Sequence, residues 1–423
     1  MDPRELLLGS FAAAVAAADP LQIVPPHLPA PPRGRTVVVG AGKAAGSMAL
    51  AVERHWPVDA PLEGVVITRY GHSLPTRRIR VVEAGHPVPD ESGEAAAREI
   101  LELARGLGPD DLLLVLVSGG GSSLLSLPVE GVSMADLKAV TRELLASGAP
   151  IQDMNTVRKH LSLIQGGRLA LATRAPTLAL VISDVTGDDP THIASGPCCA
   201  DPSTFADARE ILERFGVKVP ASIASHIAAG AAGEIPETPK PGDPALAHAQ
   251  NRVIATAHRS LAAAAAFVQA RGIAPMVLGD SVTGESSEVA KVFGAIARQV
   301  RAHSHPIGPP VAIISGGETT VTMRGKGRGG RCSEFLLSLA VDTAGLEGTW
   351  ALACDTDGID GSEDNAGAVM APDSLARARA LGLEPKRMLA DNDGYGFFSA
   401  LDDLVVTGPT RTNVNDFRII LVR

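Results

Sequence analysis

The sequence predicts an α/β protein built of two α/β domains with mostly parallel sheets. Three observations predict it. Apolar runs of strand length alternate with Ala/Leu-rich helical runs along nearly all 423 residues. Several of those runs, Leu112–Val117 above all, are continuous rather than alternating, as expected for parallel strands covered on both faces. One stretch, Pro236–Pro244, reads Pro-Glu-Thr-Pro-Lys-Pro-Gly-Asp-Pro and resists regular structure. The expected division is a larger N-terminal domain over 1–235, a Pro-rich linker over 236–248 and a C-terminal domain over 249–423. The chain is long enough to bury two cores.

The elements follow in order. Leu6–Ala18 is apolar but too short to span a bilayer, and Asp19-Pro20 stop it, so it reads as an Ala-rich amphipathic helix packed on a domain. Strands are expected at Thr36–Val39, Gly64–Thr68, Arg78–Glu83, Leu112–Ser118 and Thr177–Ser183. Later strands are expected at Ala274–Leu278, Val311–Ser315, Thr349–Cys354 and Arg418–Val422. Between them, helical patterns occupy Ala44–Glu53, Ser92–Leu107, Met134–Ser147, Phe205–Phe215, Arg259–Arg271 and Glu285–His303. Such an order puts sites at the carboxyl ends of strands. The last strand is compatible with either domain.

Composition narrows the function. A formal net charge of -9 argues against nucleic acid and membrane surfaces as partners. Aromatics are 3% of residues, too few for a stacking platform for sugars or single strands. The cysteines Cys198, Cys199, Cys332 and Cys354 contain no C-x-x-C pair, which removes zinc and disulfide scaffolds and fits a reducing, cytoplasmic compartment.

The motifs carry more. Ser315 to Arg331 holds Arg324, Lys326, Arg328 and Arg331 on a backbone thinned by glycine, in an acidic chain. Bare glycine backbone lets N–H groups converge on an anion, and Arg forks match phosphate oxygens. A bound polyphosphate is the favoured reading; a solvated basic loop is the alternative. Asp355-Thr356-Asp357-Gly358-Ile359-Asp360 ends the next strand, and its carboxylates suit Mg²⁺ with phosphate co-ligands; idle Asp-Gly turns are the alternative. Val115–Ser123 (Val-Leu-Val-Ser-Gly-Gly-Gly-Ser-Ser) is echoed by Ala312–Thr320 (Ala-Ile-Ile-Ser-Gly-Gly-Glu-Thr-Thr), which suggests two anion sites on two domains.

Other candidates are weaker singly. Gly40-Ala41-Gly42-Lys43-Ala44-Ala45-Gly46 misses the dinucleotide fingerprint by one residue, and Thr68-Arg69 stands where an acidic ribose partner belongs. What remains is Lys43 at a strand-to-helix turn, fit to neutralise a phosphoryl group. Asp184 and Asp188 cluster after a strand, where one can accept a proton from a hydroxyl or bind metal. Asn155 reads as an N-cap that places Arg158 and Lys159 early in a helix. His86, His192 and Asn413–Asp416 have no local assignment.

Taken together, these segments resemble the glycerate 2-kinase family that carries a leucine-rich C-terminal motif domain. They are Val39–Gly46, Gly85–Asp90, Val117–Ser123, Asn155–Ser162, Ser183–Asp188 with Ser195–Pro197, Ser315–Thr320, Gly329–Arg331 with Glu334, Asp355–Gly361 and Thr412–Asp416. The resemblance implies a Rossmann-like larger N-terminal domain, a smaller C-terminal domain and an active site in the interdomain cleft. It implies transfer of the γ-phosphoryl of ATP to the 2-hydroxyl of D-glycerate, giving 2-phosphoglycerate with Mg²⁺. Some members are named hydroxypyruvate reductases and are linked to tartrate degradation. The sequence departs from the pattern at Cys332-Ser333, Arg411 and Gln165, which puts fine contacts in doubt.

On this basis the catalytic set is Lys43, Arg331, Asp184 and Asp188. Glycerate falls to Ser118, Gly119, Gly120, Gly121, Ser122, Asn155 and Arg158. Nucleotide phosphates fall to Ser315, Gly316, Gly317, Glu318, Thr319, Arg324, Lys326, Gly329 and Gly330, and Mg²⁺ to Asp355 and Asp357. An NAD(P)H-dependent hydroxypyruvate reductase and a non-catalytic phosphosugar or nucleotide sensor are the competing functions. A monomer and a homodimer are both compatible with the sequence.

Overall fold

A computed structural model describes residues 1–423, and the chain divides into two compact units. Twelve strands form two six-stranded sheets. They are β1 (Thr36–Ala41), β2 (Leu62–Arg69), β3 (Ile79–Ala84), β4 (Leu112–Val117), β5 (Thr177–Ile182) and β6 (Ala249–Ala255). The second six are β7 (Ala274–Gly279), β8 (Val311–Ser315), β9 (Thr349–Asp355), β10 (Gly367–Met370), β11 (Leu404–Val405) and β12 (Asp416–Val422).

Residues Pro20–Ile254 make one unit. Its sheet runs β3-β2-β1-β4-β5-β6, and β1, β2, β3, β4 and β5 pair in parallel. The chain builds outward from β1, then returns to lay β4 on its other side. That reversal opens a crevice at the carboxyl ends of β1 and β4, where ligands of such sheets bind. β1, β4 and β5 are buried along their whole length, which explains their unbroken apolar sequence. Helix Glu91–Arg105 covers one face with Ala97, Ile100, Leu101 and Ala104. Asp90 caps it by accepting a 3.0 Å hydrogen bond from the Gly93 amide.

The other unit joins Met1–Asp19 to Ala255–Arg423. Its sheet runs β11-β10-β9-β12-β8-β7. Only β7 and β8 pair in parallel; the other four pairings are antiparallel. The expectation of mostly parallel strands therefore holds for the first sheet, whereas the second is mixed. β12 enters between β8 and β9 in the opposite sense, placing Asp416 across from Asp355 and Arg418 across from Ser315. The ends of β8 and β9 and the start of β12 thus share one edge.

The expected boundaries also shift. Helix Pro3–Ala16 packs Leu6, Leu7, Phe11 and Ala14 against Leu261, Ala264, Val268 and Phe417, so it belongs with the C-terminal residues. The Pro-rich stretch near residue 240 is not a linker. The Asp201 amide donates to Pro239 O, and Thr238 Oγ1 to Asp201 Oδ2, binding it to the first unit. β6 continues the first sheet from there. No single helix is long and apolar enough to cross a membrane.

Candidate functional site

In the first unit the predicted residues gather at the β1 and β4 ends. Gly42 turns the chain out of β1 at φ +142°, and a Cβ there would lie 2.1 Å from Ser118 Oγ. Only glycine admits that approach. The turn's amides are all spent inside the protein: Gly42 N donates to Ile67 O, Lys43 N to Gly119 O and Ala44 N to Ser118 Oγ. A dinucleotide pyrophosphate needs such amides at the helix start. Their use inside the protein leaves fewer amides for a pyrophosphate at this turn, in line with the near-miss in spacing.

Lys43 and His86 flank the Gly120 turn. A Cβ on Gly120 would sit 2.9 Å from His86 Cδ2 and Nε2 and 3.5 Å from Lys43 Cγ. Burial, then the charges of Lys43, Arg69 and Arg158, hold the His86 pKa down at about 3. Burial alone brings Arg158 to about 10. Lys43 thus sits at the glycine-rich loop, an arrangement suited to an anion.

Behind them runs a polar chain. Asn155 Oδ1 accepts from Arg158 Nη1 at 3.2 Å and faces Ser195 Oγ at 3.2 Å; Ser195 Oγ lies 3.0 Å from Ser122 Oγ. Asn155 Nδ2 donates to His192 O. The loop that sequence reasoning assigned to glycerate is therefore tied to Asn155 and Arg158 through side chains. Asn155 is no N-cap, however. The helix runs Ile151–His160 with Pro150 at its cap, and Arg158 lies in its last turn. Gln165 Nε2 donates to Ser122 O and Leu125 O, fixing the same loop. Lys159 points away into a buried ion pair with Asp201 at 3.2 Å. Asp184 and Asp188 lie on the loop after β5, both partly buried, with Asp188 held at φ +55°.

In the second unit the glycine-rich segment has a different logic from the one expected. Arg324 N and Gly325 N donate to Asn392 Oδ1, Lys326 N to Asp391 Oδ1 and Arg328 N to Asp393 Oδ1. A Cβ on Gly325 would meet Asp391 Oδ1 at 2.2 Å. The segment is thin because it lies against an Asp-Asn-Asp turn, and the side-chain oxygens of that turn take its amides. What it can offer a phosphate is the exposed side chains of Arg324 and Lys326. Arg328 is paired with Glu363 and stacked on Tyr395.

Gly330 and Arg331 begin helix Arg331–Thr343. Its first amides are also taken: Asp360 accepts from Cys332 N at 2.9 Å, Ser333 N at 2.8 Å and Gly330 N at 3.2 Å. Burial lifts the Asp360 pKa to about 6 despite those donors. A Cβ on Gly329 would lie 2.6 Å from Ser333 Oγ, which accepts from Gly330 N. Ser333, a departure from the family pattern, therefore serves the turn itself.

Arg331 is the hub. Its guanidinium contacts Glu318, donates to Asp355 Oδ2 at 2.9 Å and lies 3.1 Å from Asp416 Oδ1. Burial lowers its pKa, but Asp416, Glu318 and Asp355 outweigh that and raise it above the ordinary value. The fully buried Arg418 donates to Asp416 Oδ2, to Gly316 O at 2.9 Å and to Thr319 Oγ1 at 3.1 Å. Thr319 Oγ1 also pairs with Ser286 Oγ at 2.6 Å. So Ser315–Thr319 is a rigid loop at the β8 end, with Gly317 at φ +95° pressed on Val282.

For Mg²⁺, the fit is partial. Asp355 Oδ1 accepts from Asp357 N, its Oδ2 is bound to Arg331, and Asp357 Oδ1 accepts from Ile359 N. No three acidic, imidazole or thiol groups converge on a metal-sized site. Two carboxylates suit an ion that brings its phosphates with it. Sequence reasoning singled out Asp360 and Asp416 without giving them partners, and it missed Arg418 altogether. Asp416 and Arg418 open the last strand, and only their pairing across from Asp355 and Ser315 identifies them.

Comparison with known proteins agrees with this architecture. Residues 6–228 match the DUF4147 domain of unknown function, and residues 311–416 match the MOFRL family. A protein of Agrobacterium vitis with a provisional hydroxypyruvate reductase name is 52% identical over 99% of this chain and 94% of its own. The glycerate 2-kinase of Pyrococcus horikoshii is 38% identical over 100% of this chain and 98% of its own. The crystal structure of a glycerate kinase from Thermotoga maritima superposes with a TM-score of 0.88 at 37% identity, covering 99% of both chains. Full-length similarity at this level, with both characteristic regions matched in order, means that the chain belongs to the glycerate 2-kinase family.

Proposed function

We propose that the protein is a glycerate kinase that moves the γ-phosphoryl of ATP to the 2-hydroxyl of D-glycerate, yielding 2-phosphoglycerate and ADP. One observation carries the reading: Lys43 lies against the Gly120 turn and Arg158 is tied through Asn155 and Ser195 to Ser122, which sets two cations at the glycine-rich loop at the β4 end. A small carboxylate is the ligand such a loop accepts.

In this reading the carboxylate of glycerate lies on Ser118, Gly119, Gly120, Gly121 and Ser122, with Arg158 opposite and Asn155 fixing Arg158. Asp184 or Asp188 orients or deprotonates the 2-hydroxyl. Nucleotide phosphates lie along Ser315–Thr319, helped by the Arg324 and Lys326 side chains, with Gly329 and Gly330 shaping the approach. Lys43 and Arg331 supply positive charge to the transferring phosphoryl. Mg²⁺ near Asp355 and Asp357 would neutralise β- and γ-oxygens when bound. The protein's own task is positioning and fixed charge, which is most of what phosphoryl transfer requires. Four free, buried cysteines accord with a reducing compartment, and we assign the enzyme to the cytoplasm.

A coupled ADP-release assay across D-glycerate, L-glycerate and hydroxypyruvate tests this, with NMR identification of the phosphorylated carbon. ADP release with D-glycerate and phosphorus on carbon 2 is expected. Steady nicotinamide oxidation with hydroxypyruvate, and no ADP release, would overturn it.

A further inference from the structure

His86 lies in Gly85-His86-Pro87-Val88-Pro89-Asp90, a rigid segment with no role in the reading above. Yet its ring is set directly against the loop assigned to glycerate. The Gly120 backbone turns at φ +80° with no side chain, and the His86 ring fills the space a Cβ would enter, 2.9 Å away at Nε2. Lys43 occupies the other side of the same glycine. The segment is anchored from behind. Asp90 accepts from Gly93 N at 3.0 Å and from the Tyr70 hydroxyl at 2.8 Å, which ties down the end of the segment.

We propose that His86 is a substrate-contacting residue of the glycerate site, its imidazole hydrogen-bonding a hydroxyl of the acid held at Ser118–Ser122. The proposal rests on the glycerate reading given above.

The charges around the ring say what it can recognise. Burial first, then Lys43 after β1, Arg69 at the end of β2, Arg158 in the last turn of helix Ile151–His160 and His72 after β2, all disfavour a proton on His86. Asp90, the carboxylate on the same segment, is occupied by Gly93 and Tyr70. The imidazole is therefore neutral at working pH. A neutral imidazole has one donor and one acceptor nitrogen, which matches a hydroxyl rather than a second anion. The cations bind the carboxylate and the phosphoryl group; the ring reads the alcohol between them. Leaving a hydroxyl-reading group unpaired is how a site rejects acids that lack the hydroxyl.

Steady-state kinetics of His86→Ala and His86→Gln, with D-glycerate and ATP varied separately, test this. His86→Gln keeps an N–H and a carbonyl near the Nε2 position. Loss of kcat/KM for glycerate by about 10- to 100-fold in the alanine variant is expected, the range of one unmade hydrogen bond in a closed site. KM for ATP should move less than about 3-fold, and glutamine should recover most of the loss. Wild-type kcat/KM for glycerate should show no titration near the ordinary histidine value. Unchanged kinetics in the alanine variant would overturn the proposal. So would equal losses toward glycerate and ATP, no recovery with glutamine, or a fall in wild-type kcat/KM as pH rises through about 6.5. Should His86→Ala not fold, the glutamine variant and the wild-type pH profile decide. Wild-type enzyme that releases no ADP with glycerate would defeat the kinase reading itself, a result separate from any of these.

Discussion

Arg331 Nη2 lies 3.1 Å from Asp416 Oδ1, joining the first residue of a helix to the first residue of β12. It is a charge contact rather than an aligned hydrogen bond, since that oxygen has no donor in line with it. Asp416 is fully buried and is shared with Arg418, whose Nη2 is 2.5 Å from the other oxygen. Arg331 is thus the counter-ion of buried carboxylates as well as a candidate for phosphoryl contact.

Replacing Arg331 with alanine should therefore damage both folding and turnover. Asp416 keeps Arg418 while Asp355 Oδ2 loses its guanidinium donor, so stability is expected to fall by roughly 1–3 kcal/mol, the scale for a buried acceptor left unmade. Turnover of the folded fraction should fall by about 10²–10³. Urea unfolding beside saturating kinetics separates the two. Arg331→Lys keeps the charge but not the fork that reaches two carboxylates, and should recover stability only in part.

Lys43→Ala is expected to behave differently. The β1 turn is held to Gly119 by the Lys43 backbone amide, which the substitution keeps. Turnover at saturating ATP should drop on the order of 10²–10³ while the unfolding midpoint stays within about 0.5 kcal/mol of wild type. Near-normal kcat would remove Lys43 from the mechanism.

Glu334 gives a pH signature. Burial raises its pKa to about 7 against an ordinary 4.5, although Asn392 donates to it. A raised acid stabilises the fold fully below the unfolded pKa and loses that contribution as pH climbs through the folded one. Glu334→Gln should therefore gain stability relative to wild type between about pH 5 and pH 8, by at most about 3 kcal/mol. Urea midpoints for both proteins at pH 5, 6.5 and 8 measure it, and parallel curves would refute the assignment.

Gly325→Ala tests why the basic segment is thin. The new Cβ would fall 2.2 Å from Asp391 Oδ1 and 2.4 Å from Asp391 Cα. Destabilisation of about 1–3 kcal/mol is expected from the forced backbone shift. An unchanged midpoint would mean that the segment does not rest on the Asp391–Asp393 turn.

Much of the fold was legible because β1, β4, β5 and β8 are buried along their length and so written as unbroken apolar runs. β6 escaped notice because Gln250, Asn251 and Arg252 fill an edge strand that water partly reaches. β10 and β11, four and two residues long, carry too little pattern to read. At the site, Lys43, Ser118, Arg158 and Arg331 could be picked by residue type and position after a strand. The meaning of Gly325 and Gly330 could not. Glycine marks a close approach, and the partners that approach, Asp391 and Asp360, stand far along the chain. The links of Asp416 and Arg418 were hidden for the same reason, since sheet pairing alone brings these residues to Asp355 and Ser315.

β12 lies in the middle of its sheet, with β8 on one flank and β9 on the other. During synthesis, then, both neighbours emerge from the ribosome with open edges and wait for residues 416–422. Helix Pro3–Ala16, translated long before, waits as well, because Leu261 and Phe417 are what it rests on. A nascent chain with that much unmatched apolar surface is one that chaperones are built to hold. Slowing translation just upstream of codon 416 should raise the share of protein that aggregates rather than the share that folds.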